Sequence, residues 1–315
     1  MVNTEVYNRL HRLETTPEAL EGTVTYIADH LGTFLHTNEQ VLICYPNTGS
    51  CSFGSILEQA VRRCDCVPVF WESDYRWKTL LRQAFAMHAV TILGPPLVVL
   101  GLMKMAKATA TPLYVQNVML GGYPYASWMV EGIKKGLDCR IWGCYSVGPG
   151  PVVAGFTCSR EAGIHLRDDI FDVSITADDG SLLPDPQRGH LLLTYKKGTD
   201  EEIVYDTDES ASLLHQPCSC GSDAPRILET LYIGNDDPTK KMLEERFLAW
   251  SSILDYKVER TEYGIALELV VFPGESLPQI PSCAKLVIRP WDPETDVPFC
   301  MADLKKLAEK DWQNC

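Results

Sequence analysis

In the first half of the chain, short apolar runs alternate with longer stretches of helical period. Residues 40–45 (QVLICY), 67–71, 90–93, 113–119 and 139–145 are largely apolar, as strands buried on both faces are. Between them, residues 55–63, 78–87, 95–108 and 126–136 repeat apolar side chains every three to four positions, the pattern of helices packed on a sheet. Residues 5–36 carry the same period ahead of the first strand, with Thr16 and Glu18 as helix-start residues. Strand and helix in alternation imply an α/β fold, a parallel sheet with flanking helices.

The pattern changes after Gly155. Residues 170–176, 190–196 and 201–205 read as short strands joined by polar turns, a mostly antiparallel β subdomain. Gly234-Asn235-Asp236-Asp237-Pro238 has the composition of a hinge. Beyond it, a helix over 239–250, strands at 256–260, 265–272 and 285–289, and a last helix over 301–311 make a small α+β unit. The expected organisation is 1–155 as the α/β sheet domain with a ligand pocket, 156–233 as the β subdomain, and 234–315 as the C-terminal domain.

At 315 residues and 45% hydrophobic, the chain can bury a core without staples. Its 42 acidic residues against 28 basic ones give a net charge of −14, a field that repels phosphate backbones and anionic lipid heads. Neither nucleic acid nor membrane is an expected partner. Residues 1–10 have no basic segment followed by an apolar one, and the longest apolar stretch, 90–103, is broken by Pro95 and Pro96. A cytoplasmic protein is expected, with its thiols reduced.

Twelve cysteines then need another reading. Cys44, Cys139 and Cys144 suit strand cores. Cys51 and Cys64-x-Cys66 suit either buried apolar positions or metal-binding or redox roles. The sharpest set is Cys158 with His165 (CSREAGIH) and Cys218 with Cys220 (HQPCSCG). Four such ligands in two clusters suit a closed tetrahedral zinc site, which adds folding free energy to a subdomain with little core. Spacing alone leaves core and loop thiols as an equal alternative, with His215 as a rival ligand.

Two glycine-bearing strand ends, Gly121-Gly122-Tyr123-Pro124 and Trp142-Gly143, lie where open α/β sheets bind ligands. Tyr123 and Trp142 are read either as rings that stack on a ligand or as core aromatics. The loop 46–54 has small residues but no Walker lysine and no G-x-G-x-x-G, so an ordinary turn is the reading. No G-x-S-x-G elbow is present. Acidic clusters at Asp168-Asp169 and at Asp206, Asp208 and Glu209 read as solvated turns.

The order of these pieces resembles the phenylacetate–CoA ligase family of adenylate-forming enzymes, over about 41–233 and best over 121–227. That family's G-[GA]-E-P turn stands here at Gly122-Tyr123-Pro124, and its Y-G-x-S-E at Trp142-Gly143-Cys144-Tyr145-Ser146. A cysteine and G-L-H follow as Cys158 and Gly163-Ile164-His165, then the Asp-rich turn as Asp168, Asp169 and Phe171. Y-R-T-G-D stands at Tyr205-Asp206-Thr207-Asp208-Glu209, and C-x-C-G at Cys218, Cys220 and Gly221. Some members hold zinc with this set, so the resemblance implies structural zinc on Cys158, His165, Cys218 and Cys220. It also implies a nucleotide or substrate site at Gly121, Gly122, Tyr123, Pro124, Trp142, Gly143, Ser146 and Glu209. The implied ligands are a small carboxylic acid, a thioester or a nucleotide, with ATP/AMP or CoA as cofactors. A protein partner or a homo-oligomer fits the same reading.

Against the family pattern, the Ser/Thr/Gly-rich phosphate loop T-S-G-T-T-G is missing, the chain beginning just downstream of its place. The metal-holding glutamate is Ser146, the arginine is Asp206, and the ribose-side aspartate is Glu209. The hinge hairpin shortens to Asp236-Asp237-Pro238. The adenylation lysine falls at Cys283, with Lys285 nearby, and these two are the catalytic candidates. Adenylation gathers heavy negative charge on phosphate, and each donor lost from such a site costs about 10²–10³ in rate. A degenerate ligase-like protein that binds but does not adenylate is the first expectation. A working enzyme of reduced architecture, using Cys283, Cys51 or Lys285, is the alternative, and a zinc-stabilised interaction module is a third.

Overall fold

The structure, a computed structural model, describes residues 4–122, 127–147, 152–160, 162–196, 202–232, 250–274, 276–277, 279, 285–301 and 305. The hinge at 234–238, Tyr123, Pro124 and Cys283 lie outside the described residues, as do almost all of the helices expected at 239–250 and 301–311.

The parallel half alternates as its pattern predicts. Strands β1 (Gln40–Ile43), β2 (Val67–Phe70), β3 (Thr91–Gly94), β4 (Asn117–Leu120) and β5 (Arg140–Ser146) are joined by α3 (Phe53–Arg63), α4 (Trp77–Ala86), α5 (Pro96–Ala108) and α6 (Ser127–Leu137). They are preceded by α1 (Thr4–Glu14) and α2 (Pro17–Leu31). The helical region expected over 5–36 is two helices, the second starting at Thr16 as expected. Pro17 has no N–H to donate, and the Thr16 side chain accepts from Ala19 N at 3.3 Å, which starts a new helix.

One sheet of 11 strands runs in the order β2-β1-β3-β4-β5-β6-β7-β11-β10-β9-β8. The second half comprises β6 (Val153–Thr157), β7 (Ile164–Leu166), β8 (Phe171–Thr176), β9 (Arg188–Tyr195), β10 (Ile203–Leu214) and β11 (Arg226–Tyr232). Pairing is parallel from β2 to β5 and antiparallel from β5 onward. Strands β6, β7 and β11 add to the three expected there, and β10 runs far past residue 205. It continues through a bulge between Asp206 and Ser210, where Asp208 adopts a positive φ of 56°. At the other edge, Val67 N–H and Trp71 N–H both reach across to β1 carbonyl-side partners, at Glu39 and Ile43.

Helices α2 and α3 cover one face of the parallel half around Ile27, Leu31, Ile56 and Leu57. Helix α1 caps the antiparallel half through Tyr7 and Leu10. Helices α4 to α6 cover the opposite face, and their core is shared with a second sheet, β12 (Ile253–Thr261), β13 (Gly264–Val271) and β14 (Lys285–Pro290). The small sheet is anchored by polar groups as well. Lys104 of α5 is 4% exposed and donates to the Ile253 carbonyl at 2.7 Å. Burial pulls its amine down to about 7. Asp255, which burial raises to about 7, accepts the N–H groups of Tyr256 and Phe299, both at 2.8 Å.

Candidate metal centre and ligand site

Cys158, His165, Cys218 and Cys220 come together from three places in the antiparallel half. Their ligand atoms all lie within 4.8 Å of one another. Cys158 follows β6, and His165 sits in β7 after Gly163, whose φ of +98° turns the chain into the strand. Cys218 and Cys220 lie on a tight turn before β11, closed by Cys218 N–H to Ser222 O and Gly221 N–H to Cys218 O, each 2.9 Å. Cys158 Sγ is 3.9 Å from Cys218 Sγ, and Cys220 Sγ is 3.6 Å from His165 Nε2. Bonds of about 2.3 Å to sulfur and about 2.0 Å to nitrogen at tetrahedral angles put neighbouring ligand atoms about 3.5–3.8 Å apart. The donor set and its spacing therefore fit zinc.

Electrostatics favour the same use at two of the four ligands, while burial raises the Cys220 thiol. Burial, and then Arg226, lower the His165 pKa, which keeps the imidazole neutral. The backbone N–H of Cys220 lowers that of Cys218. His215 is not part of the group: its backbone N–H and Nδ1 contact the Asp185 carboxylate at 2.7 and 3.0 Å. Sequence reading gave no sign of Arg226. It stands opposite His165 in the β7–β11 register and sends its guanidinium to the carbonyls of Ala162 at 2.8 Å and Gln216 at 3.1 Å.

At the C-terminal ends of the parallel strands, Gly121 follows β4 so closely against β5 that a Cβ there would lie 2.8 Å from Cys144. Gly122 has φ +63°. Its neighbour is Tyr45, whose hydroxyl donates to Gly121 O at 2.8 Å and whose ring packs edge-on to Phe53. The loop before α3 closes on itself: Ser52 caps the helix by accepting from Ser55 N, and Ser55 donates to Asn47. Cys51 in that loop is disulfide-bonded. The bond removes Cys51 as a free nucleophile.

Trp142 is no ligand platform. It is 2% exposed, with Phe34 stacked 4.4 Å away at 14° and its indole N–H on Asn117. The apolar environment beneath α2 claims the ring. Gly143 donates its N–H to Thr157 Oγ1 at 2.7 Å. Ser146, half-buried, ends β5. One residue earlier, the Tyr145 hydroxyl donates to Glu209 Oε2 at 2.9 Å, which joins the end of β5 to the β10 bulge. Burial raises the Glu209 carboxyl to about 7, and burial with Glu209 alongside raises Tyr145 well above its usual value. Asp169 is explained as the partner of buried Arg167. Lys285 is elsewhere. It lies exposed on β14 opposite Ala266, in a groove of about 70 Å³ shared with Lys257, Glu259 and Glu268.

No family model matches the sequence, and no curated protein matches it. Its fold is nonetheless shared with solved adenylate-forming enzymes. 2-Hydroxyisobutyryl-CoA ligase in the postadenylation state with 2-HIB-AMP has a TM-score of 0.62 at 11% identity, covering 92% of this chain and 72% of that one. The same enzyme with 2-HIB-AMP and CoA in the thioesterification state gives 0.60 at 14%, covering 94% and 72%. Its open conformation gives 0.56 at 12%, covering 80% and 59%. This chain thus spans between 59% and 72% of the length of that enzyme. Among the described residues, no helix is long and apolar enough to cross a membrane.

Proposed function

We propose that this chain binds an adenylate-like ligand, an acid, thioester or nucleotide, on a zinc-stabilised ligase frame, and does not carry out ATP-driven adenylation by itself. The observation that carries the reading is Glu209. It is held at the β5–β10 junction by Tyr145, on a fold shared with an enzyme captured with an acyl-adenylate. An ionised carboxylate there would accept the hydroxyls of a ribose, and the glycines ending β4 would admit a flat ring. Charge separates binding from catalysis. Ser146 and Asp206 stand where the resembling family has a metal-holding glutamate and an arginine, and Lys285 lies on the small sheet. Ser146 and Asp206 supply no positive charge for a pentavalent phosphate. Zinc on Cys158, His165, Cys218 and Cys220 would supply folding free energy to the antiparallel half and take no part at the strand ends.

Calorimetric titration with AMP, ATP·Mg²⁺ and CoA, beside a pyrophosphate-release assay with a panel of aryl and short-chain acids, tests both parts. Expected are saturable binding of a nucleotide, lost in Glu209→Ala, and no pyrophosphate. Pyrophosphate release would overturn the non-catalytic part, and absence of binding by all three would overturn the site.

A further inference from the structure

We infer that Arg226 is the positioning residue of the metal centre: it fastens the two ligand-bearing loops to each other and balances the charge of the thiolates. The inference rests on reading the four-residue cluster as a zinc site. The ligands arrive from segments far apart in sequence, Cys158 to His165 on one side and Cys218 to Cys220 on the other. One side chain touches both segments. Arg226 Nη1 donates to Ala162 O at 2.8 Å, inside the first segment, and Nη2 donates to Gln216 O at 3.1 Å, two residues before Cys218. A planar guanidinium can hold two carbonyls in fixed relation, where a single ammonium cannot.

Register places the cation beside the ligands. Arg226 pairs with His165 across β7 and β11, so both side chains emerge on one face of the sheet. The residue is 8% exposed, and its Nε is buried without a partner among the described residues. An arginine is rarely buried so fully without a compensating anion. Zinc with three thiolates and one neutral imidazole carries a net charge of −1, and that anion compensates the guanidinium. The backbone agrees: Leu166 N–H donates to Pro225 O at 2.9 Å, and a Cβ at Gly163 would sit 2.6 Å from Ile227 O, so the strand pair has no slack around Arg226.

The test uses the full chain loaded with zinc, and with cobalt(II) in its place, in the wild type and in Arg226→Lys, Arg226→Gln and Arg226→Met. Zinc affinity is read by chelator competition, and site geometry by the cobalt d–d and thiolate charge-transfer bands. Outer-shell partners of metal ligands are worth about 10–100-fold in affinity. Arg226→Met is expected to lose affinity within that range and to broaden the d–d bands. Arg226→Lys, with the charge but not the fork, is expected to recover part of the affinity while the bands stay broad. Should the Met variant fail to fold, the Gln and Lys variants decide. Wild-type affinity and bands in all folded variants would overturn the role of Arg226. A wild type that takes up neither metal at one equivalent would instead overturn the zinc reading.

Discussion

Gly155→Ala is the sharpest test of whether the candidate metal centre is part of the sheet. Gly155 lies in β6, between Tyr145 of β5 and Leu166 of β7. A Cβ there would fall 2.3 Å from the His165 carbonyl oxygen and 3.0 Å from Ile164 Cγ2. Carbon and oxygen in contact need about 3.3 Å, so β7 must retreat by about 1 Å. The obstacle is backbone, so no side chain can turn away to make room. Overpacking of this kind costs about 1–3 kcal/mol, and a loosened ladder forfeits about 1 kcal/mol per hydrogen bond lost. The expected destabilisation is therefore about 2–4 kcal/mol. Because His165 rides on the displaced strand, and metal–ligand bonds tolerate only about 0.2 Å, zinc affinity falls with it. Urea unfolding with zinc present and after chelation measures both. The variant should unfold at lower urea, and its two curves should lie closer together than those of the wild type. Stability within about 0.5 kcal/mol of the wild type, with unchanged zinc affinity, would refute the reasoning.

Three further outcomes are expected. Chelation should expose Cys158, Cys218 and Cys220 to a thiol reagent in the native protein and lower the urea midpoint; unchanged thiol reactivity would count against a metal on these residues. Glu209 has its pKa raised from 4.5 to about 7, so the folded state takes up a proton in that window and its contribution to stability is lost as pH rises through it. Glu209→Gln should therefore gain relative to the wild type from pH 4.5 to 7, by at most about 3 kcal/mol, in melts across pH. Lys104 has its pKa lowered from 10.5 to about 7, so folding expels a proton between those values. The stability of the wild type relative to Lys104→Met should rise with pH in that interval, and a pH-independent difference would show the amine to be unperturbed.

The alternation of apolar runs with helical period was enough to place the parallel half, because all of those strands but the edge strand β2 are largely buried on both faces and each helix on one. What pattern could not show was closure. Strands β6, β7 and β11 are not separated by helices, and they are fixed by neighbours that complete their ladders. The second helix was legible at Thr16, because a cap residue marks a start even inside an unbroken apolar period. The Cys–His cluster was visible because sulfur and imidazole are few and their order is distinctive. Spacing left His215 in contention, and only folding, which gives it to Asp185, separated the two. Trp142 misled because a ring at a strand end looks the same whether a ligand or Phe34 lies on it. Arg226 was silent because a positioning residue is defined by the carbonyls it reaches, and these belong to other segments.

The outer strand β2 carries one more consequence. Val67 and Trp71 turn their N–H groups inward to β1, so the alternate residues, Pro68 and Phe70, face the open side. Proline has no N–H to offer. An incoming strand would find half of the donors it needs at an edge already short, and Pro68 thereby works as a stop against runaway strand addition between copies. Strand addition between copies would be better served by the opposite edge of the sheet, at β8.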